Sequence, residues 1–291
     1  MLELIHAWSD ERQTHSAGFA IVHQSTGMST RTARTLAHLS GMDLLTSGTV
    51  APVHAHRVMQ LDGQLCSVIS SITQTSGPAP DRPGRVAHHI VLTPSERPGI
   101  GPVALALSDR LVTQWDPRST HNEVPAAAPD HAEYPPDPEI DSEWARLLTR
   151  RAHAHAPTSA LVPSSVRCID LAAAIERATP AGQQWELTFL TETDRMREGV
   201  LLLAASAKSP SGARIAEAKD GVVLSLSKSP PTREQSHEQF VPEPTAQDRV
   251  ELTPASMEQE AARMTGPVIL LVTMAAAAIA LVAAVLSGWS P

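Results

Sequence analysis

Histidines are the residues of this chain whose type and spacing point most directly to chemistry. His54 and His56 lie two positions apart in VHAHRV, a stretch typical of a β-strand. Because side chains two apart on a strand share one face of the sheet, both imidazoles are expected on one face. Imidazole is a preferred zinc ligand, so the pair would supply two of the three or four ligands that a zinc site needs.

Two further histidines, His88 and His89, are adjacent in the stretch GRVAHHIVL and are therefore expected on opposite faces of a strand. The accessible one of the two could join His54 and His56 in a three-histidine site. That arrangement would favour a metal-dependent hydrolase. The alternative interpretation is that all four histidines are structural or surface residues.

The remaining reactive residues predict no site. Cys66 and Cys168 lie far apart without a Cys-x-x-Cys motif, so buried reduced thiols are predicted. His153 and His155 are expected at a helix end, where side chains two apart diverge. The chain also lacks Gly-x-Ser-x-Gly, a Gly-rich loop ending in Gly-Lys-Ser/Thr, Gly-x-Gly-x-x-Gly and His-Glu-x-x-His. These absences favour a protein that is not an enzyme and has no catalytic residue, metal or cofactor.

The charge pattern argues against nucleic acid as a partner. The formal net charge is -8, with 31 acidic and 23 basic residues, and the basic residues are scattered singly. A phosphate backbone is bound by a concentrated positive face, and single strands stack on aromatic side chains. Only 3% of the residues are aromatic. We therefore predict that the chain does not bind nucleic acid.

A membrane-spanning helix is predicted near the C-terminus. Residues 267–286 read PVILLVTMAAAAIALVAAVL, twenty residues without a charge, which as a helix would cross a hydrocarbon core of about 30 Å. Its Leu, Ile and Val side chains favour insertion by roughly 3 to 6 kcal/mol. A buried Ala-rich core helix is the alternative. The residues predicted to contact lipid are Pro267, Leu270, Leu271, Met274, Ile279, Leu281 and Leu286.

The orientation of this helix follows from both of its flanks. The N-terminus, MLELIHAWSD, has no Lys or Arg and no long apolar run, so it does not resemble a signal peptide. Arg263 precedes the helix, no basic residue follows it, and Trp289 suits the membrane interface. We therefore expect a tail-anchored, single-pass protein of the cell membrane whose N-terminal bulk is cytoplasmic.

Proline-rich stretches divide the rest of the chain. Residues 116–139 and 229–252 are rich in proline and charge and lack apolar periodicity, which is typical of linkers. The predicted fold class is α+β, with mixed sheet subdomains, packed helices and one C-terminal transmembrane helix. The predicted domains are an α+β domain 1–115, a linker 116–139, a second α/β subdomain 140–228, a disordered juxtamembrane linker 229–266 with a short helix, and the span 267–287.

Local patterns predict individual elements of the first domain. A strand is expected at 17–23, and a helix between Ser29 as N-cap and Gly41 as its stop. Asp62-Gly63 favours a type I′ turn and therefore a hairpin of strands 53–61 and 64–72. A further strand is expected at 85–92.

In the second subdomain, a helix is predicted at 141–152, where Trp144, Leu147, Leu148 and Arg151 share a face. Strands are predicted at 160–166, 185–191, 199–205 and 221–227. Helices are predicted at 168–178 and 213–219.

Several of these stretches resemble the N-terminal domain of bacterial GTPase-associated proteins. The resemblance rests on GFAIVHQSTGM at 18–28, LAHLSGM at 36–42, VHAHRV at 53–58 and, above all, GRVAHHIVL at 84–92. It covers about residues 15–110 and, more weakly, 140–228. It implies a component of GTPase-centred bacterial conflict or signalling systems, with a GTPase as partner and no established catalytic residues.

The chain departs from the family pattern at three places. Met42 stands where the family prefers Tyr, Ala55 where it has Ser, and Arg85-Val86 where it has Asn-Lys-Ile-like residues. A membrane helix also replaces the long C-terminal half of larger relatives. The sequence thus favours a membrane-tethered cytoplasmic adaptor or scaffold that contacts the lipid bilayer and a protein partner, with the metal-dependent hydrolase as the alternative.

Overall fold

The computed structural model describes the N-terminal four-fifths of the chain with gaps. The described residues are 1–9, 18–42, 51–79, 82–116, 124, 134, 142–193, 199–217 and 222–226. The chain divides into two compact units, Met1–Pro230 and Pro231–Pro291, and every described residue belongs to the first. The predicted linker 229–266 and the predicted span 267–287 lie outside the described residues, as does most of the linker 116–139.

Within the described ranges, a single nine-stranded sheet organises the first unit, with strand order β2-β1-β5-β4-β3-β7-β8-β6-β9. The first five strands pair antiparallel. They are β1 Leu2–Ser9, β2 Gly18–Gln24, β3 Val53–Leu61, β4 Gln64–Ala79 and β5 Arg82–Leu92. The last four pair parallel with one another. They are β6 Thr158–Val162, β7 Phe189–Thr191, β8 Leu202–Ser206 and β9 Val222–Ser225.

Five helices accompany the sheet in the described part of the chain. They are α1 Thr30–Met42, α2 Pro102–Leu107, α3 Ser142–His153, α4 Cys168–Ala178 and α5 Pro210–Glu217, with single 3₁₀ turns at Pro94–Glu96 and Gln184–Glu186. The coarse prediction of an α+β protein with a mixed sheet is confirmed. The strands of the two predicted subdomains meet in one sheet, because β3 pairs antiparallel with β7.

The predicted hairpin and the helix before it form as their local sequences require. Asp62 and Gly63 have φ of 48° and 80°, the two positive values of a type I′ turn. The Thr32 N–H donates to Ser29 Oγ at 3.0 Å, which caps α1. The Thr32 hydroxyl donates to Asp62 Oδ2 at 2.7 Å and so fastens the start of α1 to the hairpin turn. The helix runs one residue past Gly41, its predicted stop.

Strand β1 was not predicted, although it lies between β2 and β5 within the sheet. Its Leu4, Ile5 and Ala7 are fully buried, because both faces of the sheet are covered there. A strand buried on both faces lacks the alternation of apolar and polar residues that marks a strand with one exposed face. The N-terminus that does not resemble a signal peptide is therefore part of the sheet.

The two faces of the sheet are covered by different helices. On the face that carries Ala55, which we call face 1, Leu36 of α1 belongs to the same buried cluster as Leu4, and Ile215 of α5 to the same cluster as Ala55 and Leu190. On the opposite face, face 2, α2 contacts β3 and β4 and also packs against α4. The sheet is thus the middle layer of three.

A buried carboxylate joins the two helices of face 2. Glu176 on α4 is fully buried, and its oxygens accept hydrogen bonds from the N–H groups of Val103 at 2.7 Å and Ala104 at 3.0 Å, at the start of α2. The Tyr134 hydroxyl donates a third hydrogen bond at 2.7 Å. Burial raises the pKa of the Glu176 carboxyl, and these three hydrogen bonds oppose the rise. Glu176 therefore caps a helix that neighbours it in space and not in sequence.

No helix of the described ranges combines the length and the apolar composition needed to cross a membrane.

Replacing Gly101 by alanine should disrupt the contact between α2 and α4. A Cβ atom at this position would lie closer than 3.0 Å to the Glu176 carboxyl group, whereas a Cβ at Gly99 would meet nothing within 4 Å. Displacing the carboxylate leaves buried N–H groups without partners, so Gly101→Ala should lower the free energy of unfolding by about 2–4 kcal/mol. Denaturant unfolding followed by tryptophan fluorescence measures this, with Gly99→Ala as the matched control. Equal effects of the two substitutions would contradict the capping role.

Candidate functional site

His54 and His56 lie where the antiparallel and parallel parts of the sheet meet. Two residue pairs connect β3 to β7: Ala55 with Leu190 and His56 with Phe189. The side chain of Thr191 extends this short ladder, because the His54 N–H donates to Thr191 Oγ1 at 2.8 Å and the hydroxyl donates to the His54 carbonyl at 3.3 Å. We call these contacts, together with those of the His56 ring described next, the β3–β7 seam.

The His56 ring is fully buried and bonded at both nitrogens. Nδ1 lies 2.7 Å from the Leu187 carbonyl, which can only accept, so Nδ1 carries the proton. Nε2 then accepts from the Ser67 hydroxyl at 3.0 Å. Trp185 contacts the ring edge to face at a centroid distance of 5.6 Å. Burial is the main cause that lowers the pKa of His56 to about 4; the hydrogen bond to the Leu187 carbonyl opposes the shift, and the charges of Arg97 and Arg57 favour it. The ring is therefore neutral.

His89 points to face 1, where it connects the sheet to α1. The Ser40 hydroxyl donates to the Leu36 carbonyl at 3.1 Å and therefore accepts from His89 Nε2 at 2.7 Å. Nδ1 then accepts from the Ser70 hydroxyl at 2.7 Å. Burial holds the pKa of His89 well below its usual value. Like His56, this histidine uses a neutral ring to join two elements.

His88 points to face 2, opposite in direction to His89, as predicted. Its Nδ1 accepts a hydrogen bond from the Val112 N–H at 2.9 Å, which places the ring proton on Nε2. Ser71 of β4 lies opposite His88 of β5, and His54 of β3 lies opposite Ser71. The three residues therefore form one row across three strands. Burial lowers the pKa of His88 and of His54 to about 4.

The four histidines do not assemble a metal site. Among the described residues, no three side chains of His, Cys, Asp or Glu are placed to hold a metal ion. His56 uses both ring nitrogens for internal hydrogen bonds, His89 lies on the other face, and Ser71 separates His54 from His88. His153 and His155 are exposed at the end of α3.

A second group of polar contacts lies beyond the ends of the adjacent parallel strands β6 and β8. Helix α4 follows β6, helix α5 follows β8, and the two helices cover opposite faces of the sheet. Open α/β sheets often bind ligands at such a point. Here the position is taken by Glu192, a buried residue whose carboxylate accepts from the Cys168 thiol at 3.0 Å and from the Ser206 N–H at 3.5 Å. Burial and the Glu192 charge raise the pKa of Cys168 well above its usual value, so the thiol stays protonated.

The predicted state of the two cysteines is confirmed, since both are free and buried. The roles of Glu192, Thr191 and Glu176 were not predicted. In the sequence each of them is only a polar or charged residue beside or within an apolar stretch. Many exposed residues have the same surroundings in the sequence, so this pattern does not identify a buried contact.

Comparisons with models of known protein families, with curated proteins and with solved structures gave no match for this chain. The resemblance to GTPase-associated proteins therefore stays a prediction from the sequence.

The buried histidines predict a stability that falls as the solution becomes mildly acidic. Arg167 faces His54, Arg97 and Arg57 face His56, and His23 faces His88, and each of these groups opposes protonation. Because the folded-state pKa values are about 4 and the unfolded value is about 6.5, the unfolded state binds more protons between these limits. The contribution of these histidines to the free energy of unfolding is present in full above their unfolded-state pKa of about 6.5. It is lost as the pH falls from there towards 4.

Between pH 7.0 and 5.5 the free energy of unfolding should fall by roughly 1 kcal/mol per buried histidine, or roughly 3–4 kcal/mol for these three. His89, whose pKa is also lowered by burial, adds to this fall. Denaturant titrations at the two pH values measure the change, in a range where most carboxylates stay ionised. His54→Asn should reduce this pH-dependent change in the free energy of unfolding by the amount that one histidine contributes. His153→Gln, at an exposed position, should leave the change as it is in the wild type. An unfolding free energy that is the same at both pH values would show that the histidines titrate normally.

Proposed function

We propose that the protein is a membrane-tethered cytoplasmic adaptor that binds a protein partner. The partner that the resemblance implies is a GTPase of a bacterial conflict or signalling system. In this proposal the helix 267–286 holds the chain in the membrane, and the sheet with its helices provides the binding surface. Lipid and protein are its partners, and no chemical step is required of it.

The use of the candidate histidines as structural contacts is the observation that carries this proposal. A hydrolase needs side chains that reach substrate or a metal-bound water. His56 and His89 instead use both ring nitrogens within the fold, and His88 is fully buried. The Cys168 thiol is protonated and buried. His56, His89 and Cys168 are thus engaged in contacts within the fold, and His54 and His88 are buried.

The membrane part of the proposal depends on the transfer free energy of residues 267–286. Two arginines near the centre of the segment, Ala276→Arg with Ile279→Arg, add roughly 5–7 kcal/mol, which exceeds the roughly 3–6 kcal/mol that favours insertion. After high-speed centrifugation of lysed cells, the wild-type chain should pellet with membranes and the double variant should stay in the supernatant. The control Ala276→Leu with Ile279→Leu should pellet. Wild-type protein in the supernatant would refute the anchor, and digestion of residues 1–230 by protease added to intact spheroplasts would refute the cytoplasmic orientation.

The partner part of the proposal is tested separately. Full-length protein in detergent micelles is mixed with each GTPase encoded next to it, loaded with GDP or with a non-hydrolysable GTP analogue, and association is measured by calorimetry. We expect at least one to bind with a Kd of about 10 μM or tighter, and an unrelated bacterial GTPase not to bind. No association with any of the neighbouring GTPases, in either nucleotide state, would overturn the proposal while leaving the anchor untouched.

A further inference from the structure

Three buried polar atoms on face 2 of the sheet have no hydrogen-bond partner among the described residues. They are Nδ1 of His54, Oγ of Ser71 and Nε2 of His88. The residues belong to β3, β4 and β5 and pair directly across these strands. Side chains that are directly opposite on neighbouring strands have Cβ atoms about 5 Å apart. The three side chains therefore form one row, with Ser71 between the two imidazoles.

The chemistry of each atom is set by its surroundings. His88 accepts the Val112 N–H at Nδ1, so its Nε2 carries a hydrogen and is a donor. The Ser71 hydroxyl can both donate and accept. His54 Nδ1 belongs to a ring kept neutral by burial. Together these atoms offer a donor, a group that does both, and an imidazole nitrogen.

Burying three polar atoms without hydrogen bonds would destabilise the folded protein. Each buried polar atom without a partner lowers the folding equilibrium constant by a factor of roughly 10. Folded proteins have few such atoms, and ordered water commonly satisfies those that protein atoms do not reach. A buried water typically makes about three hydrogen bonds. The three polar atoms of this row could supply that number.

The burial of the row limits what can occupy it. Ser71 and His88 are 0% exposed and His54 is 9% exposed. Val112, whose N–H bonds to His88, also packs against Ile5 and Val86 and covers this part of face 2. Ser71 has a small side chain between two large ones, and the burial of all three residues separates the row from bulk solvent.

We propose that the row of His54, Ser71 and His88 is an internal binding site for a water molecule. The water accepts the hydrogen of His88 Nε2 and makes two further hydrogen bonds, one with Ser71 Oγ and one with His54 Nδ1. It thereby connects three strands by side-chain hydrogen bonds next to the β3–β7 seam. The site is independent of the adaptor proposal.

The sign of a serine substitution tests this site. If the row is hydrated, Ser71→Ala removes a bonded hydroxyl and should raise the unfolding equilibrium constant roughly fivefold. If the row is dry, the same change removes an unpaired buried hydroxyl and stabilises the protein. Ser70→Ala on the same strand is the matched reference, because Ser70 is equally buried and bonds directly to His89 on face 1.

Denaturant unfolding of the two full-length variants should therefore show losses of similar size. A midpoint for Ser71→Ala that is equal to or higher than that of the wild type, with a lower one for Ser70→Ala, would overturn the proposal. A crystal structure of the wild-type chain at better than about 2 Å gives a readout that does not depend on variant folding. It should show one water within hydrogen-bond distance, about 2.6–3.2 Å, of all three atoms, and direct contact between Ser71 and either histidine without a water would equally refute the site.

Discussion

The β3–β7 seam is the constraint on which the rest of the structure depends. It joins five antiparallel strands to four parallel ones through only two residue pairs. Two side chains reinforce this short ladder: Thr191 bonds both backbone groups of His54, and the His56 ring bonds the Leu187 carbonyl while Ser67 holds its other nitrogen. Without these contacts the two parts of the sheet would each present an unpaired inner edge, which is a surface for aggregation.

Neutral histidine suits this role for a physical reason. One ring nitrogen donates and the other accepts, so a single side chain can satisfy one donor and one acceptor that lie on different elements. Burial favours the neutral form, which keeps both functions available at neutral pH. His56 and His89 both work in this way, one joining strand to loop and the other joining sheet to helix. Histidines that the sequence analysis considered as zinc ligands therefore join elements of the fold by hydrogen bonds.

Local sequence was sufficient for elements whose stabilising contacts are local. Asp62-Gly63 specified the hairpin, Ser29 marked the start of α1, and α4 has the predicted bounds of Cys168–Ala178. The seam, strand β1 and helix α2 could not be predicted in the same way. Their stability comes from partners far along the chain, as for Glu176 and Val103, which are 73 residues apart. The shared face of His54 and His56 followed from strand periodicity, whereas the partners of their rings depend on the whole fold.

The sequence separation across the seam has a consequence for biosynthesis. His56 bonds to Leu187, a residue 131 positions later, so β3 leaves the ribosome long before its neighbour β7 exists. At a synthesis rate of about 5–20 residues per second, the nascent antiparallel strands wait roughly 7–26 seconds with the outer side of β3 open. During that interval α1, which is already synthesised, can cover face 1 of the antiparallel strands, but the edge of β3 stays unpaired. The order of translation therefore makes β3 the strand of the nascent protein that is most exposed to aggregation.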